Sequence, residues 1–166
     1  MLIEMKSPQN FDLGKFPKIF FGGSIEQDKA IDWQNNLLHY ITNLDCDAIV
    51  LNPRRDNWDS NLDHDVTVGS AFFNQVTWEL EAIETSDIIV FYFDKNTISP
   101  VTLMELGLCL GKYETKTILI YCPKEYFRYA NVKITSNRFN RFVYENENDF
   151  KTALYYSIVQ HNKMFT

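Results

Sequence analysis

The chain has 166 residues, of which 45% are hydrophobic and 15% aromatic, and a formal net charge of −6 at pH 7. That content excludes an intrinsically disordered chain, and the length suffices for one domain whose core needs no staples. The negative balance excludes general binding to a nucleic-acid backbone, since the densest basic spots are only Arg54-Arg55 and Arg138 to Arg141.

Residues 1–16 are mixed in character and are expected to form a loosely ordered N-terminal arm or an edge segment. Lys18-Ile-Phe-Phe-Gly22 is a short apolar run halted by Gly22-Gly23, which suits a buried strand ending in a loop. From about Asp28 to Leu44, Ala30, Trp33, Leu37, Leu38, Ile41 and Leu44 recur at steps of three and four, the period of an amphipathic helix. Asp47 to Leu51 reads as the second strand, closed by Asn52-Pro53. Asn52 to about Phe72 is long, polar and irregular, and such loops in compact domains are usually functional or disordered.

Phe73 to Thr85 reads as a helix with Val76, Leu80 and Ile83 as its core stripe. Asp87 to Phe93 is almost continuously apolar, as in a strand buried on both faces. Pro100 to about Tyr113 reads as a helix, with Pro100 in the first turn and Ser99 as N-cap. Thr117 to Tyr121 is the fourth strand, followed by a short helical piece near Glu125–Tyr129, a fifth strand within Asn140–Tyr144 and a closing helix from Asp149 to about Asn162.

Strands alternating with helices imply right-handed crossovers and an α/β sandwich of about five mainly parallel strands. No repeat or linker marks a second domain, so residues 1–166 are read as one. Ligands of such sheets bind beyond the carboxyl ends of the strands. That gathers Gly22 to Glu26, Asn52 to Asp59, Asp94 to Pro100 and Pro123 to Asn131 around one crevice.

No apolar run reaches the ~18 residues of a membrane span, and MLIEMKSPQNFDLG lacks the apolar centre of a signal peptide. Cys46, Cys109 and Cys122 form no CxxC and sit among apolar residues, which predicts buried free thiols. A soluble cytoplasmic protein without nucleic-acid or membrane partners is expected.

Within this frame Glu105 stands out. Leu103, Met104, Leu106, Leu108, Cys109 and Leu110 surround it, and its helical neighbours Val101, Thr102, Leu108 and Cys109 include no Lys or Arg. Either it reaches solvent or a distant base, or it is a poorly solvated carboxylate kept for chemistry, such as a nucleophile at the crevice end. Glu79 flanks the expected stripe of its helix, while Glu81 points away. Gly22-Gly23-Ser24 would let backbone approach a ligand or serve an ordinary turn; it is neither GxGxxG nor a P-loop. Asn52-Pro-Arg54-Arg55-Asp56 places two guanidinium groups at a strand end, for a phosphate or for nearby carboxylates. Asp59, Asp63, His64 and Asp65 match no metal-ligand spacing, so no metal is expected.

The segments FFGGSIEQDKAIDWQ, VLNPRRDNWD, QVTWELEAIETSDIIVFYFD and SPVTLMELGL together resemble the nucleoside 2-deoxyribosyltransferase superfamily, in its nucleoside 2-deoxyribosyltransferase-like branch. The resemblance spans about Lys18 to Tyr121 and implies a flavodoxin-like three-layer fold that cleaves N-glycosidic bonds of nucleosides or nucleotides. It implies that Glu105, in Met-Glu-Leu-Gly, is the nucleophile forming a covalent glycosyl-enzyme. It makes Glu79 the second acid, usually an aspartate in better-known members, which helps hold the sugar or assists proton transfer at the base, and so the candidate to protonate the leaving base. It assigns Gly22, Gly23, Ser24 and Ile25 to the wall of the substrate pocket.

Transferases often carry an aspartate in the loop before the nucleophile helix. Here Ser99 stands six residues before Glu105 and Asp94 is the nearest loop acid, which leaves ribose against deoxyribose open. Neither cofactor nor metal is implied, and a homo-oligomer is, since a neighbouring subunit completes the site in many members. The expected function is N-glycosyl transfer or hydrolysis. The alternatives are a non-catalytic nucleotide-binding domain and a hydrolase of another N-glycoside such as NAD. A purely structural partner-binding role has little support, because no exposed apolar helix face is evident in the sequence.

Overall fold

The computed structural model describes residues 1–10, 14–26, 30–55 and 65–165. Short apolar runs form six parallel strands among them: β1 (Leu2–Lys6), β2 (Lys18–Gly23), β3 (Ala48–Asn52), β4 (Ile88–Tyr92), β5 (Thr117–Tyr121) and β6 (Val143–Tyr144). They hydrogen-bond into one sheet in the order β1-β3-β2-β4-β5-β6. Every residue of β3 and β4 is buried, which is why these strands read as unbroken apolar runs rather than alternating ones.

Alternate strand residues serve two cores. On one face α1 (Trp33–Thr42) and α5 (Glu147–Phe165) pack Trp33, Leu37, Ile41, Phe150, Leu154 and Ile158 onto Ile19, Phe21, Val50 and Val90. On the other, α2 (Ala71–Thr85), α3 (Pro100–Lys112) and α4 (Tyr129–Arg138) pack Trp78, Ala82, Ile83, Leu106, Cys109, Leu110 and Val132 onto Phe20, Ile49, Leu51, Ile89 and Phe91. The result is a flavodoxin-like three-layer sandwich.

The structure departs from the sequence expectations in four places. Of the two expectations for residues 1–16, a loose arm or an edge segment, the edge segment holds and adds a sixth strand to the expected five: Leu2 to Lys6 pair in register with Ala48 to Asn52, and Ile3 and Met5 lean on the core. Its charged Glu4 and Lys6 suit an edge. Helix α1 begins at Trp33 rather than Asp28, because the Asp32 carboxylate accepts the Asn35 N–H as N-cap. Residues 27–29 lie outside the described residues.

The core stripe of α2 is not Val76-Leu80-Ile83. Gln75, Trp78, Ala82 and Ile83 face inward, and Val76 and Leu80 are 38% and 41% exposed. The large Trp78 ring, anchored by its Nε1–H to the Gln9 carbonyl, sets the rotation of the helix. With Val101, Met104 and Leu108 of α3 also exposed, the α2–α3 layer carries an outward apolar face that the sequence did not disclose. Finally, the short helical piece expected near Glu125–Tyr129 is displaced to α4, whose YANVKITSNR buries only Val132 and Ser136 and so shows little periodicity.

Cys109 and Cys122 are buried, Cys46 half-buried, and none is in a disulfide. Among the described residues no helix is long and apolar enough to cross a membrane.

Candidate active site

The chain passes from β2 to β3 on one side and then from β3 back past β2 to β4 on the other, so a topological switch point lies at the ends of β2 and β4. Three loops converge there: Ser24 to Glu26 after β2, Pro53 to Arg55 after β3, and Phe93 to Ser99 after β4.

The acid in the apolar helix has found another acid. Glu105, in the second turn of α3 and only 7% exposed, meets Glu79 of the neighbouring α2, and the two carboxyl groups hydrogen-bond. Burial pushes Glu105 up to about 8, and the adjacent Glu79 charge and the hydrogen bond between them add to the rise. Burial also pushes Glu79 up, but only to about 6, because the Gln75 amide, Arg55 and the hydrogen bond from Glu105 oppose it. Burial and mutual repulsion thus make the pair keep a proton above the ordinary carboxylate range, and the apparent values belong to the pair.

Gln75 sits one turn before Glu79 and braces it. Its Nε2 donates to Glu79 Oε1 at 2.6 Å and to the Pro53 carbonyl at 3.0 Å. Among the described residues its buried Oε1 has no hydrogen-bond partner. Arg55, whose Nη2 donates to Ser7 Oγ at 2.7 Å, supplies the positive charge that favours ionised Glu79.

At the head of α3 lies a second cluster. Ser24, Thr97 and Ser99 are buried, and their hydroxyls form a closed triangle of 2.5, 2.7 and 2.8 Å, with the Asp94 N–H donating to Ser24 Oγ at 3.0 Å. Ser99 occupies the N-cap position in the left-handed region, at φ 47° and ψ 53°. Its side chain makes no capping bond, contrary to expectation, because the hydroxyl is drawn into the triangle. A non-glycine residue held there stores strain, which its surroundings must stabilise. Glu26 contributes: one carboxylate oxygen accepts both the Ile98 and Ser99 N–H groups at 2.7 Å.

The other sequence candidates divide by what they touch. Gly22 and Gly23 have ordinary strand conformations, and neither has a positive φ. What they provide is room: a Cβ on Gly22 would lie 2.9 Å from the Phe20 ring, and one on Gly23 would lie 2.5 Å from both the Trp33 ring and the Tyr92 carbonyl. The turn reading of these glycines is therefore corrected to close packing. Ile25 is exposed on the rim. Asn52 is buried and bonded to Glu4 and to the Arg54 N–H. Arg54 is engaged by Asp32 at 3.0 Å and Gln34 at 3.1 Å. Both oxygens of Asp94 are taken by backbone, from Ile31 and Asn96.

Asp56 lies outside the described residues, as do Asp59, Asp63 and His64. Among the described residues no three His, Cys, Asp or Glu side chains converge to hold a metal. Sequence reasoning missed Gln75, whose four-residue spacing from Glu79 was a readable signal. It also missed Thr97 and the binding role of Glu26, whose partners lie 72 and 73 residues away and leave no local trace.

Comparison with known proteins gives a family and a fold. The family model described as "Nucleoside 2-deoxyribosyltransferase like" matches residues 16–126, well over half of the chain and all of both clusters except Ser7. The crystal structure of a conserved protein from Enterococcus faecalis V583 superimposes with a TM-score of 0.53 over 87% of this chain and 98% of that one, at 15% identity. That likeness concerns the fold alone. A search of curated proteins returns no match.

Proposed function

Because this chain belongs to the nucleoside 2-deoxyribosyltransferase-like family, we propose that it cleaves the N-glycosidic bond of a nucleoside or nucleotide by covalent catalysis at Glu105. The carrying observation is the buried Glu105–Glu79 pair, two carboxyl groups that meet away from solvent and whose proton affinity burial raises. Cleavage at C1′ develops oxocarbenium character, and a carboxylate within reach captures it.

In the proposed first step the C1′–N bond breaks and its electron pair leaves with the base, which takes a proton from Glu79. Ionised Glu105 forms the C1′–O bond of a glycosyl ester. In the second step water or a second nucleobase attacks C1′, Glu79 takes its proton, and Glu105 leaves as carboxylate. Two displacements retain the configuration. The surroundings of the pair favour the opposite placement, ionised Glu79 beside neutral Glu105, so the first step requires the proton to pass from Glu105 to Glu79: growing positive charge at C1′ favours ionised Glu105, and the basic nitrogen of the leaving group favours a proton on Glu79.

The test is a panel of nucleosides and nucleotides, with and without free adenine, read by mass. Base exchange identifies a transferase, base release alone a hydrolase. Retention of activity by a folded Glu105→Ala variant would sink the mechanism. Binding without turnover over long incubation would replace it with the non-catalytic nucleotide-binding reading.

The proposed partner is a second copy of this chain, seated on the apolar α2–α3 face. Val76 and Leu80 flank Glu79, and Met104 and Leu108 flank Glu105, so that face runs along the helices bearing the acids. No resident cofactor is needed for either step.

A further inference from the structure

The two arginines that suggested a phosphorylated substrate are engaged within the protein. Arg54 is held by Asp32 and Gln34, and Arg55 by Ser7 beside Glu79. Among the described residues, another place in this crevice suited to an anion is the head of α3, where backbone N–H groups and the helix dipole favour negative charge. That place is taken as well. The Glu26 carboxylate accepts the Ile98 and Ser99 N–H groups at 2.7 Å each. Behind them, the Ser24, Thr97 and Ser99 hydroxyls satisfy one another. Tyr126 closes the other side by donating its hydroxyl to the Ile98 carbonyl, and Glu26 is near enough to help push the Tyr126 hydroxyl up.

Ser99 precedes Glu105 by six residues, about 9 Å along the helix at 1.5 Å per residue. With C1′ at Glu105, a 5′ substituent lying along the helix toward its head meets Glu26. We infer that Glu26 is a specificity-determining residue: it supplies the anion at the head of α3 from the protein itself and so restricts the substrate to glycosides with an uncharged 5′ end, nucleosides rather than nucleotides. This rests on the proposed N-glycoside chemistry for the substrate's orientation, but the occupied anion position does not depend on it.

The experiment has one arm for each. In the first, inorganic phosphate is titrated calorimetrically into the wild type, Glu26→Gln and Glu26→Ala. The wild type is expected to give no heat of binding and the Glu26→Ala protein to bind, with Glu26→Gln as the near-isosteric variant should the alanine protein melt early. Equal phosphate binding by all three, or none by folded variants, overturns the inference whatever the enzyme's substrate.

In the second arm a deoxynucleoside and its 5′-monophosphate are compared for binding and cleavage. The wild type is expected to favour the nucleoside by at least about tenfold, since like charges brought together in a crevice discriminate strongly. Glu26→Gln should narrow that ratio, and Glu26→Asp should keep it. A wild type that prefers the monophosphate, or a ratio untouched by Glu26→Gln, overturns the inference while leaving the chemistry at Glu105 intact. Failure of both compounds to bind, alongside phosphate binding by the Glu26→Ala protein alone, refutes the nucleoside reading and keeps Glu26 as the occupant of the anion position.

Discussion

Replacing Glu105 with Gln should make the protein more stable and inactive, and the stability gain should depend on pH in a defined direction. In the unfolded chain this carboxyl ionises near its ordinary 4.5; in the folded protein burial and Glu79 hold its proton to about 8. As pH rises between those values the unfolded state releases a proton that the folded state keeps, so stability falls across the window and levels off above it. Each pH unit corresponds to about 1.4 kcal/mol, which sets a ceiling of roughly 5 kcal/mol for the whole span. Because Glu79 shares the proton, a gain of roughly 2–4 kcal/mol for the neutral glutamine is the reasonable expectation. For a domain of this size that is a rise of about 5–10 °C in Tm at about pH 9, shrinking to nothing near pH 4. Circular-dichroism melts of both proteins across that range measure it directly. Parallel Tm profiles, or a gain that persists at low pH, would show that Glu105 is not the strained acid. The same variant should lose at least about 10³-fold in kcat, since a nucleophile is removed outright.

The rate of base release should follow a bell in pH, with flanks near 6 and 8 that belong to the pair, and a profile flat across pH 5–9 would contradict single-proton catalysis. Glu79→Gln should cost about 10²–10⁴-fold with a natural base, and a substrate whose leaving group needs no proton should recover most of the loss. Gly23→Ala should destabilise by about 1–3 kcal/mol in urea melts, because its Cβ would enter the Trp33 ring and the Tyr92 carbonyl; an unchanged midpoint would mean that the strand end yields freely. Met104→Lys, which charges the 68% exposed centre of the α2–α3 face, should reduce the mass in light scattering to that of a monomer; an unaltered mass would refute the second copy as its occupant.

The sheet was legible because its strands are buried on both sides. Ile88 to Tyr92 and Ala48 to Asn52 have no polar alternation to confuse, and Gly, Pro and Asn mark their ends. Edges and weak helices were not: β1 mixes Glu4 and Lys6 into five residues, and α4 buries too little to show a period. The rotation of α2 was misread because three aliphatics at helical spacing outvoted one tryptophan, although the indole buries more surface than any of them. Glu105 was visible as an anomaly, an acid without a local base, but its partner was not. Glu79 lies 26 residues away on another helix, and only the parallel stacking of α2 and α3 on one face brings the carboxyl groups together.

That pairing also sets the two acids in unlike surroundings. Glu79 has Gln75 on one side and the Arg55 charge on the other, and both favour its ionised form. Glu105 is buried without a basic helix neighbour and faces the negative charge of Glu79, and both favour its neutral form. These surroundings oppose ionisation of the proposed nucleophile. It becomes a carboxylate when the proton moves to Glu79, and in the proposed mechanism a base nitrogen ready to take that proton onward favours the move. Gln75 is the lever in this arrangement. Gln75→Leu should remove the amide that keeps Glu79 ionised and let the proton rest there more often. The acid flank of the pH–rate bell would then move up from about 6, while a merely structural role for Gln75 would lower stability and leave the flank where it was.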